Sequence, residues 1–522
     1  MVQVNASLAK QTGNKKSFIT ERSSKSMKRK LFSLLFTFLL IIPLQVSAGK
    51  FGDGDDPAGN PGEWYTGMEP TEIDATKTPI LFIHGLNGSS LGWWEENDMY
   101  DIALENGYET AFIDLYPTKN MWDNGALLAE KLPDIVEKFG KKVTIVAHSK
   151  GGIDAQSAIV HYDAHPFVDK VITLSTPHHG SQLADLAYSK WAGWLANILG
   201  SKNDGTYSLQ TGYMQHFRKQ TDQLNNRLHV PFYSFAGTSW GAFGGSLYWG
   251  GLYLRSFGQN DGAVTVTNSR LPYGTEIKVD KWDHFSIKLG SSTFSLFEPF
   301  LRVNGNTNSF AHDTISKQAM KETVASYLHG GQYKEQKKEL FAVEENVKQI
   351  DVQWISNKDT TDLTLISPSG KKYTNFNVQK DTSNIFNQAY QYSFALQSPE
   401  AGEWTLQAEQ KEESYLFNVV YDSDINNDLH LTTNNSQSPK MILMNDGNIA
   451  TFQTDIKILK VEPTDSKEQQ LKNTNEQTIS LDHLQEGLYN ITIDINGKTK
   501  NGHSFNRTIV QSFYKDKYGN LY

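Results

Sequence analysis

The stretch Val143-Thr144-Ile145-Val146-Ala147-His148-Ser149-Lys150-Gly151 places a serine directly after an apolar run, and a helix-compatible segment, residues 152–159, follows it. A serine on a tight turn between a strand and a helix needs small neighbours, because the chain reverses sharply there. Ala147 and Gly151 are the small residues two positions before and two after it. Such a turn presents Oγ at the end of the sheet, near a helix N-terminus whose dipole favours developing negative charge. The pattern predicts a nucleophile at Ser149.

A second strand-like segment lies upstream and ends in a glycine-containing loop. Residues 78–83 are mostly apolar and lead into His84-Gly85-Leu86-Asn87-Gly88. A loop at this point can supply one backbone amide to an oxyanion, and the residue after the nucleophile supplies another. We therefore predict an oxyanion hole made by the backbone amides of Leu86 and Lys150. Only the amide of Lys150 is needed for this role, so its charged side chain is free to point to solvent.

An acid and a base follow the serine along the chain. Asp261 lies in the turn 259–264, and His284 comes soon after a further alternating segment. The order Ser149, Asp261, His284 is the one expected of a strand–turn–helix nucleophile. His284 would take the serine proton and return it to the leaving group, while Asp261 would hold the imidazole tautomer and stabilise the imidazolium.

Nearby residues offer alternatives for these roles. Asp280 and Asp283 are rival acids, because the Asp-Gly pair at 261–262 is also typical of an ordinary turn. His178 and His179 are rival bases, but they precede the acid in the chain. We interpret His84 as a residue that stabilises the oxyanion loop and His148 as a residue that positions the nucleophile turn.

Together these segments resemble the secreted bacterial triacylglycerol lipases and esterases of the α/β-hydrolase superfamily, over about residues 50–330. The matching stretches are Ile83-His84-Gly85, Ala147-His148-Ser149-Lys150-Gly151-Gly152, Leu174-Ser175-Thr176-Pro177-His178-His179-Gly180-Ser181, Asn260-Asp261-Gly262 and Asp283-His284. The resemblance implies hydrolysis of carboxylic esters, most of all lipid esters, through an acyl-enzyme and without an organic cofactor. Related lipases sometimes carry structural calcium or zinc, but the sequence offers no convincing ligand set, so no metal is predicted.

The same part of the chain alternates strands with helices, which favours a mostly parallel sheet with helices on both faces. Strands are predicted at 110–115, 142–147 and 168–174, and a helix at 125–139 in which Pro133 implies a kink or break. Residues 181–257 interrupt the alternation and are predicted to form a lid with an apolar inner face. Its helical stripe comprises Leu183, Leu186, Trp191, Trp194, Leu195, Ile198 and Leu199.

The pattern changes after the hydrolase-like part. A helix-like segment, residues 314–328, followed by Gly330-Gly331 predicts the end of this domain at residue 331, and the charged residues 332–339 predict a linker. Short alternating strands between turn signals then predict two all-β sandwich modules, at 340–410 and 413–522, the second immunoglobulin-like. These modules could bind cell wall, polysaccharide or substrate, or act as spacers.

The composition and charge of the chain indicate the compartment in which the protein acts and the partners that it can bind. Met27-Lys28-Arg29-Lys30 followed by the apolar residues 31–42 and by Val46-Ser47-Ala48 is typical of a signal peptide in residues 1–48, with Met27 as an alternative start. Its removal would change the formal charge from −9 to −16, because the segment holds eight basic residues and one acidic residue. We therefore predict a secreted protein that binds no nucleic acid. The absence of cysteine excludes disulfides.

Other functions share the same residues. An extracellular polyester depolymerase or a phospholipase would use the same triad on another ester. A non-catalytic surface adhesin built on a hydrolase scaffold belongs to a different class, and the intact set of candidate catalytic residues argues against it.

Overall fold

The structure is a computed structural model that describes residues 49–50, 59–191, 202–302, 323–382, 386, 388–434, 440–445, 447–464, 466–469 and 477–522. The predicted signal-peptide region 1–48 lies outside these residues. So do Trp194, Leu195, Ile198 and Leu199 of the predicted lid, and residues 314–322 of the predicted helix. No helix in the described part of the chain is both long and apolar enough to span a membrane.

Residues 49–302, here the α/β region, are built on an eight-stranded sheet. Its strands are β1 Gly49–Lys50, β2 Trp64–Thr66, β3 Ile80–Ile83, β4 Thr110–Ile113, β5 Val143–His148, β6 Val168–Leu174, β7 Phe232–Gly237 and β8 Thr275–Asp280. They lie in the order β1-β2-β4-β3-β5-β6-β7-β8. All pairs from β4 to β8 are parallel, and only β2 runs antiparallel to its neighbour β4.

Helices cover both faces of this sheet. They are α1 Met99–Glu105, α2 Met121–Phe139, α3 Gly151–His161, α4 Gln182–Ala187, α5 Asp204–Ser208, α6 Thr211–Thr221, α7 Ser246–Leu254, α8 Val266–Ser269 and α9 Gly290–Phe297. Leu81 and Ile83 of β3 share one apolar core with α2 and α3, whereas Ile80 and Phe82 share another with α1 and α9. Both faces of the strand are therefore buried, which explains its continuous apolar sequence.

Helix α2 corrects one prediction. It begins after Asn120, whose side chain accepts hydrogen bonds from the amides of Trp122 and Asp123, and it ends at Gly140 in the left-handed conformation. Pro133 lies inside it without ending it, so of the predicted kink or break the break is wrong. Capping at both ends and a buried apolar face outweigh the one backbone hydrogen bond that proline removes.

The predicted lid is also only partly right. Residues 181–257 contain the helices α4, α5, α6 and α7, but the strand β7 lies between them in the middle of the sheet. Its six residues are all buried between β6 and β8. The segment is therefore two helical stretches separated by a core strand, and not one insertion.

Residues 323–522, here the C-terminal β region, form antiparallel sheets. The first sheet holds β9 Ser326–Val343, β10 Gln349–Ser356, β11 Asp362–Ile366, β12 Lys372–Tyr373, β13 Asn377–Lys380, β14 Tyr390–Gln397 and β15 Gly402–Asp422. A three-stranded and a four-stranded sheet hold β16 Leu429–Asn434, β17 Lys440–Asn445, β18 Ile449–Val461, β19 Ser466–Gln469, β20 Thr478–Ser480, β21 Gly487–Thr499 and β22 Ser504–Lys515. An α/β region followed by antiparallel β-sheets confirms the predicted fold class.

Two long strands cross boundaries that the sequence suggested. Strand β9 runs through the predicted linker 332–339 and includes the last residues of the predicted helix, so both are wrong there. Strand β15 crosses the junction predicted at 410–413, where the structure has only a bulge. The two strands pair with each other, and many side chains between residues 330 and 340 face solvent. This exposure explains why a charged, glycine-containing sequence is compatible with a strand.

The two regions meet at a buried carboxylate. Asp185 of α4 accepts hydrogen bonds from the amide and hydroxyl of Thr211, at 2.9 and 2.7 Å, and from Ser512 Oγ of β22 at 2.6 Å. The Asn490 side chain donates to the Asp185 carbonyl at 2.7 Å. Burial, the largest influence, raises the pKa of Asp185 to about 6 against the opposing effect of these hydrogen bonds.

Candidate active site

The turn between β5 and α3 holds Ser149 in a backbone conformation that is rare for a residue with a side chain. Its φ is +53°, in the left-handed region. Two glycines make room for the turn: a Cβ on Gly151 would lie 2.4 Å from the His84 carbonyl oxygen, and one on Gly85 would lie 2.8 Å from Ser149 Cβ. The strained serine and its close neighbours are what a nucleophile turn requires.

The structure brings the three predicted catalytic side chains into one hydrogen-bonded series. His284 Nε2 lies 3.1 Å from Ser149 Oγ, and His284 Nδ1 lies 2.8 Å from Asp261 Oδ2. The other oxygen of Asp261 accepts from the amides of Ala263 and Val264, at 2.9 and 2.7 Å. With both carboxylate oxygens engaged in this way, Nδ1 carries the proton and the lone pair of Nε2 faces the serine hydroxyl.

The rival residues lie in other arrangements. One carboxylate oxygen of Asp283 accepts from the amides of Phe285 and Ser286, at 3.0 and 2.7 Å, and so closes a local turn. Asp280 forms an ion pair with Lys278. His178 is fully buried, and burial is the main reason why its pKa is well below the usual value. The side-chain hydrogen bond of Ser149 is made with His284 and with none of these three residues.

Two further histidines hold the site in position. His148 Nε2 is 2.7 Å from the carbonyl of His284, so it fixes the backbone of the candidate base. His84 Nε2 accepts from the Leu115 amide at 3.0 Å, and Nδ1 donates to the Gly85 carbonyl at 2.8 Å. Burial lowers the pKa of both imidazoles, which keeps them neutral in these roles.

Leu86 lines the same cleft as Ser149, and Lys150 follows Ser149 directly at the start of α3; the oxyanion hole remains a prediction. The Lys150 side chain does not reach solvent, however: it is 1% exposed, and Nζ contacts both oxygens of Asp154 at 2.7 and 2.8 Å. Asn124 of α2 donates to the same carboxylate at 2.9 Å. The ion pair anchors the first turn of α3, and the Lys-Asp spacing of four along a helix is the signal that could have revealed it.

Ser149 and His284 open into a cleft of about 260 Å³. Its walls are mostly apolar, and they include Leu86, Trp93, Pro177, Leu183, Ala184, Leu186, Ala187, Leu209, Ala263, Val264, Phe285 and Phe386. Lys288 brings a cation to one side of this cleft, and burial lowers its pKa. No cluster of three or more His, Asp or Glu side chains in the described part of the chain has the geometry to hold a metal ion.

A mostly parallel sheet defines the α/β-hydrolase class when it carries a strained serine at the end of a central strand, with a histidine hydrogen-bonded to this serine and an aspartate hydrogen-bonded to the histidine. A family model described as a PGAP1-like alpha/beta domain matches residues 125–196. The crystal structure of the Bacillus licheniformis lipase BlEst2 in its propeptide form is 43% identical to this chain, with a TM-score of 0.77. The match covers 89% of this chain and 99% of that one.

Two other comparisons cover less of the molecule. The mature form of the same Bacillus licheniformis lipase is 58% identical over 47% of this chain and all of its own length, with a TM-score of 0.46. Triacylglycerol lipase 2 of Saccharomyces cerevisiae is 30% identical over 135 residues, and the chain spans 40% of the length of that relative. The chain belongs to the lipase and esterase family of the α/β-hydrolases, and it is a carboxylic ester hydrolase.

Proposed function

We propose that this protein is a secreted serine hydrolase that cleaves acylglycerols or other lipid esters through an acyl-enzyme. The observation that carries the proposal is the series Ser149–His284–Asp261 at the end of a largely apolar cleft. The similarity to the propeptide form of a bacterial lipase and to a yeast triacylglycerol lipase supports the choice of lipid esters among possible substrates.

The proposed reaction follows from the hydrogen bonds. Ser149 Oγ attacks the ester carbonyl while His284 Nε2 accepts its proton, and Asp261 stabilises the imidazolium that forms. The backbone amides of Leu86 and Lys150 stabilise the oxyanion. Collapse of the tetrahedral intermediate breaks the ester C–O bond, and the alcohol leaves with the proton from His284. Water then attacks the acyl-enzyme carbonyl while His284 takes one of its protons. The bond between the acyl carbon and Ser149 Oγ breaks, His284 returns the proton to Oγ, and the carboxylic acid is released.

One experiment separates this proposal from a non-catalytic scaffold. The purified chain is treated with a fluorophosphonate probe, and the labelled peptide is identified by mass spectrometry. We expect a single label on Ser149 and none on a Ser149→Ala variant. An unlabelled wild-type chain would favour the adhesin.

The substrate class needs a second measurement. Hydrolysis rates are compared for p-nitrophenyl esters, a triglyceride emulsion, a phospholipid dispersion and an aliphatic polyester film. We expect the triglyceride to be cleaved faster than the phospholipid and the polyester. The reverse order would favour the phospholipase or the depolymerase.

Secretion is proposed from the signal-like residues 1–48. Expression of the full chain in a Gram-positive host, followed by N-terminal sequencing of the enzyme in the medium, is expected to give Gly49 as the first residue. Retention of an unprocessed chain in the cells would contradict this proposal.

We also propose that the C-terminal β region is a propeptide. The similar Bacillus licheniformis lipase was solved in a propeptide form, and strand β22 packs on α4 and α6 of the α/β region. Limited proteolysis, monitored by mass spectrometry, is expected to remove this region and to increase turnover of a bulky ester. If turnover is unchanged and the processed enzyme attaches less to cell wall or polysaccharide, the surface-binding role is the better one.

A further inference from the structure

One wall of the catalytic cleft comes from the C-terminal β region. Among the described residues that line the cleft, only Phe386 lies beyond Arg302. It is located between β13 and β14 and is 1% exposed. The cleft that contains Ser149 is therefore completed by a side chain more than 200 positions further along the chain.

A buried carboxylate holds Phe386 in place. Asp381 Oδ2 accepts hydrogen bonds from the amides of Phe386 at 2.9 Å and Gln388 at 3.3 Å. Its other oxygen accepts from the hydroxyl of Ser246, the first residue of α7, at 2.5 Å. Gln391 of β14 donates to the same hydroxyl at 2.9 Å. The backbone that carries Phe386 is thus tied to the α/β region and not only to its own sheet.

The ring of Phe386 packs on the apolar side of the cleft. It lies edge-on to Trp249 of α7, with 5.0 Å between ring centroids and an interplanar angle of 79°. Leu183 and Leu186 of α4 belong to the same cluster and also line the cleft. Lys288 and Asn87, in contrast, contribute polar side chains to the lining. An acyl chain gains most by lying along the leucines, where the ring of Phe386 stands.

We infer that Phe386 closes the acyl-binding end of the cleft and limits the length of the acyl chain that the enzyme accepts while its C-terminal β region is attached. This inference rests on the proposed serine ester hydrolase function. Each methylene that finds apolar contact contributes about 0.8 kcal/mol, which corresponds to about fourfold in kcat/KM. Replacing the ring by a methyl group removes the obstacle to the distal methylenes of a long chain.

The test compares acyl-chain profiles of the full-length protein, shown by mass spectrometry to be unprocessed. kcat/KM is measured below the critical micelle concentration for p-nitrophenyl butyrate, octanoate and decanoate. We expect Phe386→Ala to raise the decanoate-to-butyrate ratio by about tenfold or more, which is roughly the contribution of two methylenes. Asp381→Ala, which removes the anchor of the backbone at Phe386, should change the ratio in the same direction.

Controls separate this effect from general loosening. Tyr518→Ala removes an aromatic side chain that is 79% exposed in the same region, and it should leave the ratio unchanged. Phe386→Trp should lower the ratio, and it also serves as the test if the alanine variant fails to fold. A labelled, active wild-type chain whose ratio does not respond to substitution of Phe386 overturns this inference alone. A wild-type chain that takes no fluorophosphonate label contradicts the proposed function itself.

Discussion

The α/β region and the C-terminal β region each contain a buried polar cluster. The two clusters are built from similar groups, but they differ in whether a substrate can reach one of their atoms. In the C-terminal β region, Arg507 and Glu344 form an ion pair with atoms 2.5 Å apart, and both side chains are at most 1% exposed. The guanidinium also donates to Asn426 Oδ1 at 3.0 and 3.2 Å and lies 3.9 Å from the Tyr421 ring centroid. Both charged side chains of this cluster are therefore surrounded by other protein groups and do not reach solvent.

The cluster in the α/β region, formed by Asp261, His284 and Ser149, differs in the exposure of its members. Asp261 is enclosed in the same way, but His284 and Ser149 border a cleft, and Ser149 also lies on a strained turn. Burial and hydrogen-bonded pairing therefore identify a stable cluster in either region, but they do not by themselves indicate chemistry. Chemistry additionally requires one member whose reactive atom meets a space large enough for a substrate.

The strongest test of this contrast removes the accessible atom. Ser149→Ala should lower kcat on p-nitrophenyl butyrate by about 10⁶-fold, because no acyl-enzyme can form. The melting temperature should not fall, since the substitution deletes one hydroxyl at a strained position. Turnover similar to that of the wild type would contradict the assignment of the nucleophile.

The second test compares two neighbouring carboxylates. Asp261→Asn should lower kcat by about 10³–10⁴-fold, because an amide in place of the carboxylate no longer favours the proton on Nδ1. Asp283→Asn is the matched control and should retain activity within a few-fold, since its carboxylate only closes a local turn. A reversed pattern, measured by steady-state kinetics on both variants, would make Asp283 the catalytic acid.

The third test addresses the enclosed cluster. Arg507→Met should lower the free energy of unfolding by about 3–5 kcal/mol, because Glu344 is left buried without its partner. Lys348→Met breaks an exposed ion pair with Asp424 in the same region and should change stability by less than about 1 kcal/mol. Urea denaturation measures both. Loss of kcat per folded Arg507→Met molecule would show that this cluster supports the chemistry after all.

The smallest effect concerns pH at the contact between the two regions. The folded-state pKa of Asp185 is raised to about 6, above the usual 3.8 of an aspartate. Its contribution to stability is therefore fully present below about pH 3.8 and is lost as the pH rises through about 6, by up to about 3 kcal/mol. Asp185→Asn stays neutral and should flatten this dependence.

Melting temperatures between pH 4.5 and 8, recorded for wild type and Asp185→Asn, measure this effect. We expect the variant to gain stability relative to wild type as the pH increases. Parallel curves would mean that the hydrogen bonds from Thr211 and Ser512 keep this carboxylate ionised throughout.

The sequence predicted the α/β region well because its signals are local. The apolar runs that became β3, β5 and β6 are short and bounded by turns, and the glycines beside Ser149 are required by the steric crowding of the turn itself. Asp261 and His284 were found through their order along the chain. Their mutual distances could not be read from it, because they depend on how three loops meet at the end of the sheet.

Several of the wrong predictions depend on contacts between residues that are far apart in the sequence. Strand β9 looked like a linker because its partner β15 lies more than 50 residues away. The Lys150 side chain was expected in solvent because the spacing of four to Asp154 indicates a pair but not its burial, which depends on the packing of Asn124 from α2 against the same carboxylate. Phe386 carries no sequence signal for the cleft at all, since the contact arises only when the two regions pack together.

The packing of β22 on the α/β region also sets an order of events during synthesis. Gly212 approaches so closely that a Cβ there would lie 2.5 Å from Phe513 Cα, only nine residues before the end of the chain. At about 5–20 residues per second, the 220 residues after Arg302 take roughly 10–45 s to translate. During that interval, Leu186, Trp249 and Tyr253 of the α/β region have not yet been buried by residues of the C-terminal β region. Chaperones therefore meet the enzyme first with this apolar surface exposed, and the surface becomes buried only after β22 has been synthesised.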